Sequence, residues 1–347
     1  MSTETLTEQL EAQRRKVAFD TYDIIVQQLV TMVETSAIDV APVYQRQFRW
    51  DTTKRSHLIE SVFLGVPVPS LFMAANRDGT WELVDGVQRL STLVQFVGPP
   101  AVRAKLGLED SLALEGLKKL DRFNGKRFAD LPSSLQLQFH HRPIKVITLS
   151  DKSDMIVRFD LFERLNTGGV ALTNQEIRAC IYRGSFADFL DRMAKNEDFK
   201  SVVRLTPAQE KDGTREECVL RFFAFLHGYK SFVHSVVDFL NDYMAEATKA
   251  FSYREGEALF VRTFSELARV LPRGIARGSR RVTPINLYEG VAVGAALAVQ
   301  AKSRLVAPSS SKWLQSAELR RYTTGATNNR PMVVGRIEYC RDRLLGR

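Results

Sequence analysis

Trp81-Glu82-Leu83-Val84-Asp85-Gly86-Val87-Gln88-Arg89-Leu90-Ser91-Thr92-Leu93 reads as a short strand, a two-residue turn and the opening of a helix. Asp85 and Gly86 stand where the strand must end. Gln88 and Arg89 project from the helix start, beside backbone N–H groups that have no intrahelical acceptor. A helix N-terminus attracts anions, phosphate above all. One turn therefore offers a carboxylate for a metal ion or hydroxyl, a glycine for close backbone approach, and an amide and a guanidinium for phosphate or base. An ordinary strand–turn–helix with Arg89 in solvent fits the same stretch equally well.

Outward from that turn, the pattern on the N-terminal side alternates strands and helices. Phe19 to Asp23 reads as an edge strand, Val26 to Glu34 as a helix with Val26, Leu29, Val30 and Val33 at helical spacing, and Ile38 to Val40 as a short strand. Pro42 to Trp50 mixes aromatics, amides and arginines. Asp51 is placed to N-cap a helix running to Leu64, which Gly65 stops. Ser70 to Ala74 and Trp81 to Val84 read as a hairpin across the turn signal Asn76 to Gly79. Gly98-Pro99-Pro100 breaks the helix that runs to Val97. Residues 101–142 give no clear pattern. Ile144 to Leu149 reads as a strand, and Asp154 to Leu165 as a helix ended by Asn166-Thr167-Gly168-Gly169.

Beyond that loop, Thr173 and Glu176 have the spacing of a capping box. From about residue 186 helical periodicity dominates, in Phe186–Met193, Cys218–Leu226, Phe232–Ala247, Glu257–Leu271, Tyr288–Leu305 and Val334–Leu345. The expected fold is α+β, with an N-terminal domain over 19–185 and a helical, basic C-terminal domain over 186–347.

A chain of 347 residues with 44% hydrophobic and 26% charged content has the make-up of a soluble globular protein with room for two cores. No apolar run approaches the ~20 residues needed to cross a bilayer. Met1 to Arg15 is polar and lacks the apolar core of a signal peptide. Cys180, Cys218 and Cys340 are distant and odd in number, which fits buried thiols in a reducing cytoplasm rather than a disulfide framework. The five histidines form no zinc pattern. His140-His141 reads as a surface pair. His227 and His234, seven apart, read as one face of a helix engaged in packing.

The net charge of +9 is segmental: residues 261–347 hold 16 Lys and Arg against 5 Asp and Glu. Such a cluster raises the local concentration of polyanions and points to nucleic acid, with the rival reading of a merely solubilising surface. Arg273, Arg277, Arg280 and Arg281, in a Gly-rich basic loop, are the candidates for contact with a DNA backbone.

Three segments carry chemistry together: Tyr44-Gln45-Arg46 with Trp50; Asp85-Gly86-Val87-Gln88-Arg89; and Phe162-Glu163-Arg164-Leu165-Asn166-Thr167-Gly168-Gly169 with Leu172, Gln175, Glu176 and Arg178. Tyr44, Gln45 and Arg46 offer stacking, an amide fork and a guanidinium, the kit for a base and its phosphate. The loop 166–169 can turn backbone amides toward an anion. Core packing is the favoured reading for Phe48 and Trp50. A salt bridge to Asp85 or Glu60 competes for Arg46, and helix capping alone for Gln175 and Glu176.

In order and spacing these segments resemble the N-terminal domain of GmrSD-type restriction endonucleases, over roughly residues 20–185. The resemblance implies a ParB/sulfiredoxin-like fold, nucleotide binding or hydrolysis with NTP and Mg2+ as cofactors, and a role in defence against foreign, often modified, DNA. The family reads Asp-Gly-Gln-Gln-Arg; here Val87 replaces the first glutamine, and turnover is the property this puts in question.

Restriction relatives often carry a histidine-based, metal-dependent nuclease domain. None is found in this sequence, so the expectation is a stand-alone member that does not act as a nuclease by itself. No cysteine lies near the Asp85 turn, so sulfiredoxin chemistry has no nucleophile, and no Gly-Lys-Ser or Gly-Lys-Thr phosphate loop exists. The leading expectation is therefore a nucleotide-responsive, DNA-associated component of a prokaryotic anti-phage defence or DNA-processing system, working with a partner nuclease or helicase. Asp85 would hold Mg2+, Arg89 and Arg164 would neutralise phosphates, and Gln88 would position a water or a ribose hydroxyl. Tyr44, Gln45, Arg46, Gly86, Asn166, Thr167, Gly168, Gly169, Gln175 and Arg178 complete the expected nucleotide site. The alternative is a non-catalytic sensor of modified DNA; NTP hydrolysis is left open.

Overall fold

The computed structural model describes residues 6–14, 18–40, 50–76, 78–108, 110–150, 159, 164, 173–277, 282–306 and 311–347. The chain is mixed α/β and divides into two compact units, Met1–Ala171 and Leu172–Arg347.

The first unit carries helix α1 (Leu6–Arg14), strand β1 (Phe19–Ile25), α2 (Val26–Glu34), β2 (Ile38–Asp39), α3 (Thr52–Leu64), β3 (Leu71–Ala75), β4 (Trp81–Asp85), α4 (Val87–Val97), α5 (Pro100–Lys105), α6 (Ser133–His140) and β5 (Pro143–Leu149). The strands form one sheet in the order β1-β5-β3-β4-β2. β1 runs antiparallel to β5, β5 parallel to β3, β3 antiparallel to β4, and β4 parallel to β2. β1 lies at the edge, as its sequence suggested. It is almost wholly exposed, and Asp20 and Asp23 on it discourage pairing with another chain.

Local chemistry set several boundaries. Val26, Leu29, Val30 and Val33 are all buried on α2, so the 3.6-residue stripe did define that helix. The Asp51 side chain accepts a 2.7 Å hydrogen bond from the Lys54 amide and caps α3, which ends against Gly65. Pro100 starts α5 at a position where its missing N–H costs nothing.

Residues 101–142, which had no legible period, supply much of the core beneath the site. Phe139 is fully buried, with its ring 4.5 Å from Phe63, 5.3 Å from Phe96 and 6.1 Å from Phe128. His140 departs from the expected surface pair. It is half-buried with its ring edge-on to Phe128 at 4.9 Å, and burial lowers its pKa; His141 alone is exposed. The expected helix over 154–165 lies outside the described residues apart from Phe159 and Arg164, both helical.

Every described regular element of the second unit is helical: α7 (Asn174–Ile181), α8 (Ser185–Ala194), α9 (Glu197–Val202), α10 (Thr214–Gly228), α11 (Val236–Lys249), α12 (Tyr253–Val270), α13 (Ile285–Ala301), short helical turns around Ser311–Gln315 and Ala317–Thr323, and α14 (Arg330–Leu344). The helix opened by Thr173 packs here, earlier in the chain than the boundary read from sequence. The reason is lateral bonding: the Thr173 hydroxyl donates to the Asp212 carbonyl at 2.7 Å, and Arg178 reaches Glu217. Two helix readings shift as well. Ser235 caps α11, so Phe232 precedes it, buried against Phe225 and Phe239. α10 ends at Gly228, so His227 and His234 do not share a helix; His227 Nδ1 instead meets the Tyr243 hydroxyl at 2.8 Å. All three cysteines are buried free thiols, and burial pushes Cys218 up to about 12.

Candidate functional site

The turn after β4 forms as its residue types require. Gly86 has φ +103°, a backbone that an L side chain rarely adopts, and it stands at the N-cap of α4. A Cβ there would come within 2.5 Å of Leu71 Cδ2 and 3.1 Å of the Arg89 guanidinium. Gly86→Ala is therefore expected to lose roughly 1–3 kcal/mol of stability from backbone strain, and to displace Leu71 and Arg89 as well. Urea denaturation measures the loss; a variant as stable as wild type would show that the turn relaxes freely.

The turn places Asp85 and Arg89 one helical turn apart. They form a 2.7 Å ion pair, with the arginine side chain 16% and the aspartate side chain 39% exposed. The same guanidinium nitrogen donates to the Ser70 carbonyl at 3.1 Å, which ties α4 to the approach of β3. Arg89 Nε is buried with no hydrogen-bond partner among the described residues. Such a donor is costly to leave unmade in a dry environment. Gln88 is also held: its side-chain oxygen accepts the Trp50 amide at 3.0 Å, while its carbonyl receives the Thr92 hydroxyl at 2.6 Å. Trp50, expected in the core, is only half-buried. Behind the turn, Arg55 of α3 donates to Gln95 of α4 at 2.7 Å, a tie that two polar residues forty positions apart did not announce.

The other expected site residues fall out as follows. Arg164 is helical and exposed. Tyr44, Gln45, Arg46, Asn166, Thr167, Gly168 and Gly169 lie outside the described residues, as do Arg280 and Arg281. The capping box at Thr173 is complete, with Glu176 accepting from the Thr173 amide at 2.8 Å and Thr173 from the Glu176 amide at 3.2 Å. Gln175 and Arg178 face inward instead of toward a solvent cleft. Gln175 is 3% exposed and accepts from Arg178 Nε at 3.0 Å; Arg178 is 1% exposed and bonded to Glu217 at 2.5 Å and Asn241 at 3.2 Å. In this arrangement both side chains are spent on internal bonds. Arg273 is exposed, whereas Arg277 is half-buried, donating to the Leu314 carbonyl at 3.0 Å and to the Thr323 hydroxyl.

Chemically, the Asp85 turn presents a part-exposed carboxylate and a helix N-terminus under a guanidinium that can exchange its aspartate partner for another anion. Among the described residues no group of three His, Cys, Asp or Glu is arranged to hold a metal ion. A single carboxylate fits Mg2+ only as co-ligand with phosphate oxygens and water.

No helix among the described residues is long and apolar enough to cross a membrane. No curated protein and no solved structure matches the chain. Residues 26–183, from the start of α2 through α7 and so including the Asp85 turn, match the family described as GmrSD restriction endonuclease, N-terminal domain. By that match residues 26–183 are a GmrSD-type N-terminal domain, and the remainder of the chain lies outside it.

Proposed function

We propose that this protein is a nucleotide-responsive, DNA-associated component of a restriction system, and that its first unit is a ParB/sulfiredoxin-like domain that takes Mg–NTP at the Asp85 turn. The observation that supports the reading best is the Asp85–Arg89 pair at the start of α4. Its carboxylate is accessible, its arginine has an unmatched buried donor, and both sit where the helix dipole favours an anion. Arg89 would hold the phosphates and Asp85 would hold the Mg2+. The metal would supply charge neutralisation at the phosphate oxygens. Gln88, already fixed by Trp50, keeps the helix start rigid. The basic last quarter of the chain, with Arg273 exposed, holds DNA through its phosphates, and that contact weakens steeply with salt.

Isothermal titration of the full chain with each NTP and Mg2+ tests the site. Wild type is expected to bind at least one nucleotide, and Arg89→Ala to weaken it by about tenfold or more, the worth of one charge-assisted hydrogen bond. No binding to any NTP, or unchanged binding in Arg89→Ala, rejects the assignment.

A second reading, a non-catalytic sensor of modified DNA acting with a partner nuclease or helicase, is favoured by one feature. Val87 stands where the family has an amide, and the side-chain oxygen of Gln88 is already used by Trp50, so few groups are left to orient a water. It predicts DNA affinity that depends on modification and is indifferent to NTP.

A further inference from the structure

A cavity of about 680 Å³ opens in the helical unit, between the end of α10, α11 and the start of α12. Its walls are aromatic: Phe223, Phe239, Tyr243 and Phe251 line it. Its charged groups are all acidic. Asp242 and Glu246 lie one turn apart on α11, and Glu255 stands in the first turn of α12; no Lys or Arg is among the lining residues.

The walls are set in place by packing. A Cβ on Gly228 would stand 3.0 Å from Phe239 Cζ, and one on Gly256 only 2.7 Å from Phe251 Cζ, so both rings lie directly against backbone. Phe251 is further braced edge-on by Phe223, with centroids 5.2 Å apart, and by Phe189 at 5.1 Å. The Tyr243 hydroxyl is held by His227.

The three acidic residues that line the cavity are themselves exposed to solvent. None of the three carboxylates is ion-paired among the described residues. Asp242 is raised from its ordinary value, first by partial burial and then by repulsion from Asp238 and Glu246. His227 brings no relief at neutral pH, because burial lowers its pKa below the ordinary histidine value. A chain with a net charge of +9 thus keeps a cavity lined by aromatic rings and by three solvent-exposed carboxylates that have no ion-pair partner among the described residues.

We propose that this cavity binds a small organic cation, an ammonium carried on an aromatic or alkyl body. The volume lies within the roughly 300–1,000 Å³ span of small-molecule sites. The ring faces favour a cation through their quadrupoles and accept its apolar body. The carboxylates fix the sign of the ligand, and their mutual repulsion is relieved when it enters.

Benzylamine and its neutral counterpart benzyl alcohol, titrated calorimetrically into the full chain, provide the test. Benzylamine is expected to bind about tenfold or more tightly than benzyl alcohol, the preference a partly desolvated cation–π and carboxylate contact provides. The double variant Asp242→Asn/Glu246→Gln should abolish that preference, and Phe251→Leu should weaken benzylamine binding. Glu197→Gln, on the exposed start of α9, should change nothing. Because the double variant removes like-charge repulsion, it should melt no lower than wild type, so a loss of binding cannot be laid to unfolding. Absence of benzylamine binding, equal affinity for the alcohol, or an unaltered preference in the double variant overturns the proposal.

Discussion

Glu289→Gln is expected to destabilise the helical unit by roughly 3–5 kcal/mol, the usual cost of removing one partner from a buried ion pair. Glu289, on α13, is 1% exposed and accepts from Arg221 of α10 at 2.5 Å and from Arg336 of α14, itself fully buried. Arg221 continues to Glu217 at 2.7 Å, and Glu217 to Arg178 of α7 at 2.5 Å. Three guanidinium groups and two carboxylates therefore alternate across four helices. The variant leaves three cations, of which Arg178 and Arg336 are fully buried, facing one carboxylate. Urea denaturation measures the loss, with exposed Glu197→Gln as the control that should shift little. Glu289→Leu/Arg336→Met should cost less than Glu289→Gln alone, because it removes both charges together. If Glu289→Gln matches wild type, the chain of charges does not hold the helices.

The same network gives a pH dependence. Burial would raise Glu217, but Arg221 and then Arg178 outweigh it and hold the carboxyl below its ordinary value of 4.5. A depressed carboxylate stabilises the fold fully above its unfolded value, and that contribution drains as pH falls through the lower folded value. Acid unfolding of the helical unit is thus expected to begin below about pH 4.5 and to be blunted in Glu217→Gln.

Phe139→Ala is the counterpart in the first unit, with an expected loss of roughly 3–5 kcal/mol for deleting a fully buried ring. Phe139 touches Phe63 on α3 and Phe96 on α4, and α4 begins at the Asp85 turn. The cavity loosens the helix that carries Arg89 without touching its chemistry. Hydrogen exchange should show faster exchange in β3, β4 and α4, with the amides of the helical unit unaltered. Protection in α4 equal to wild type would mean that the phenylalanine cluster does not anchor it.

Elements governed by nearest neighbours were legible in the sequence. α2, the capped start of α3, the Asp85–Gly86 turn and the Thr173 capping box rest on bonds three or four residues long, and their residue types declare them. Readings that depended on distant partners were not legible. The buried arginines gave no sign of burial, because Arg178 meets Glu217 and Asn241 only through folding, and Arg336 meets Glu289 only the same way. His140 turned inward because Phe128 offered its ring, and residues 101–142 hid a core because irregular backbone has no period to read.

By itself the sequence determined the strand–glycine–helix turn, written within five consecutive residues, and the family resemblance of residues 26–183, carried by the order and spacing of short motifs. Tertiary structure alone decided that Arg89 would close on Asp85 and Ser70, that Arg178 would be consumed by an internal charge chain, and that a ring of acids and phenylalanines would surround a cavity. Pair geometry and burial are properties of segments brought together from afar, and no local pattern encodes them.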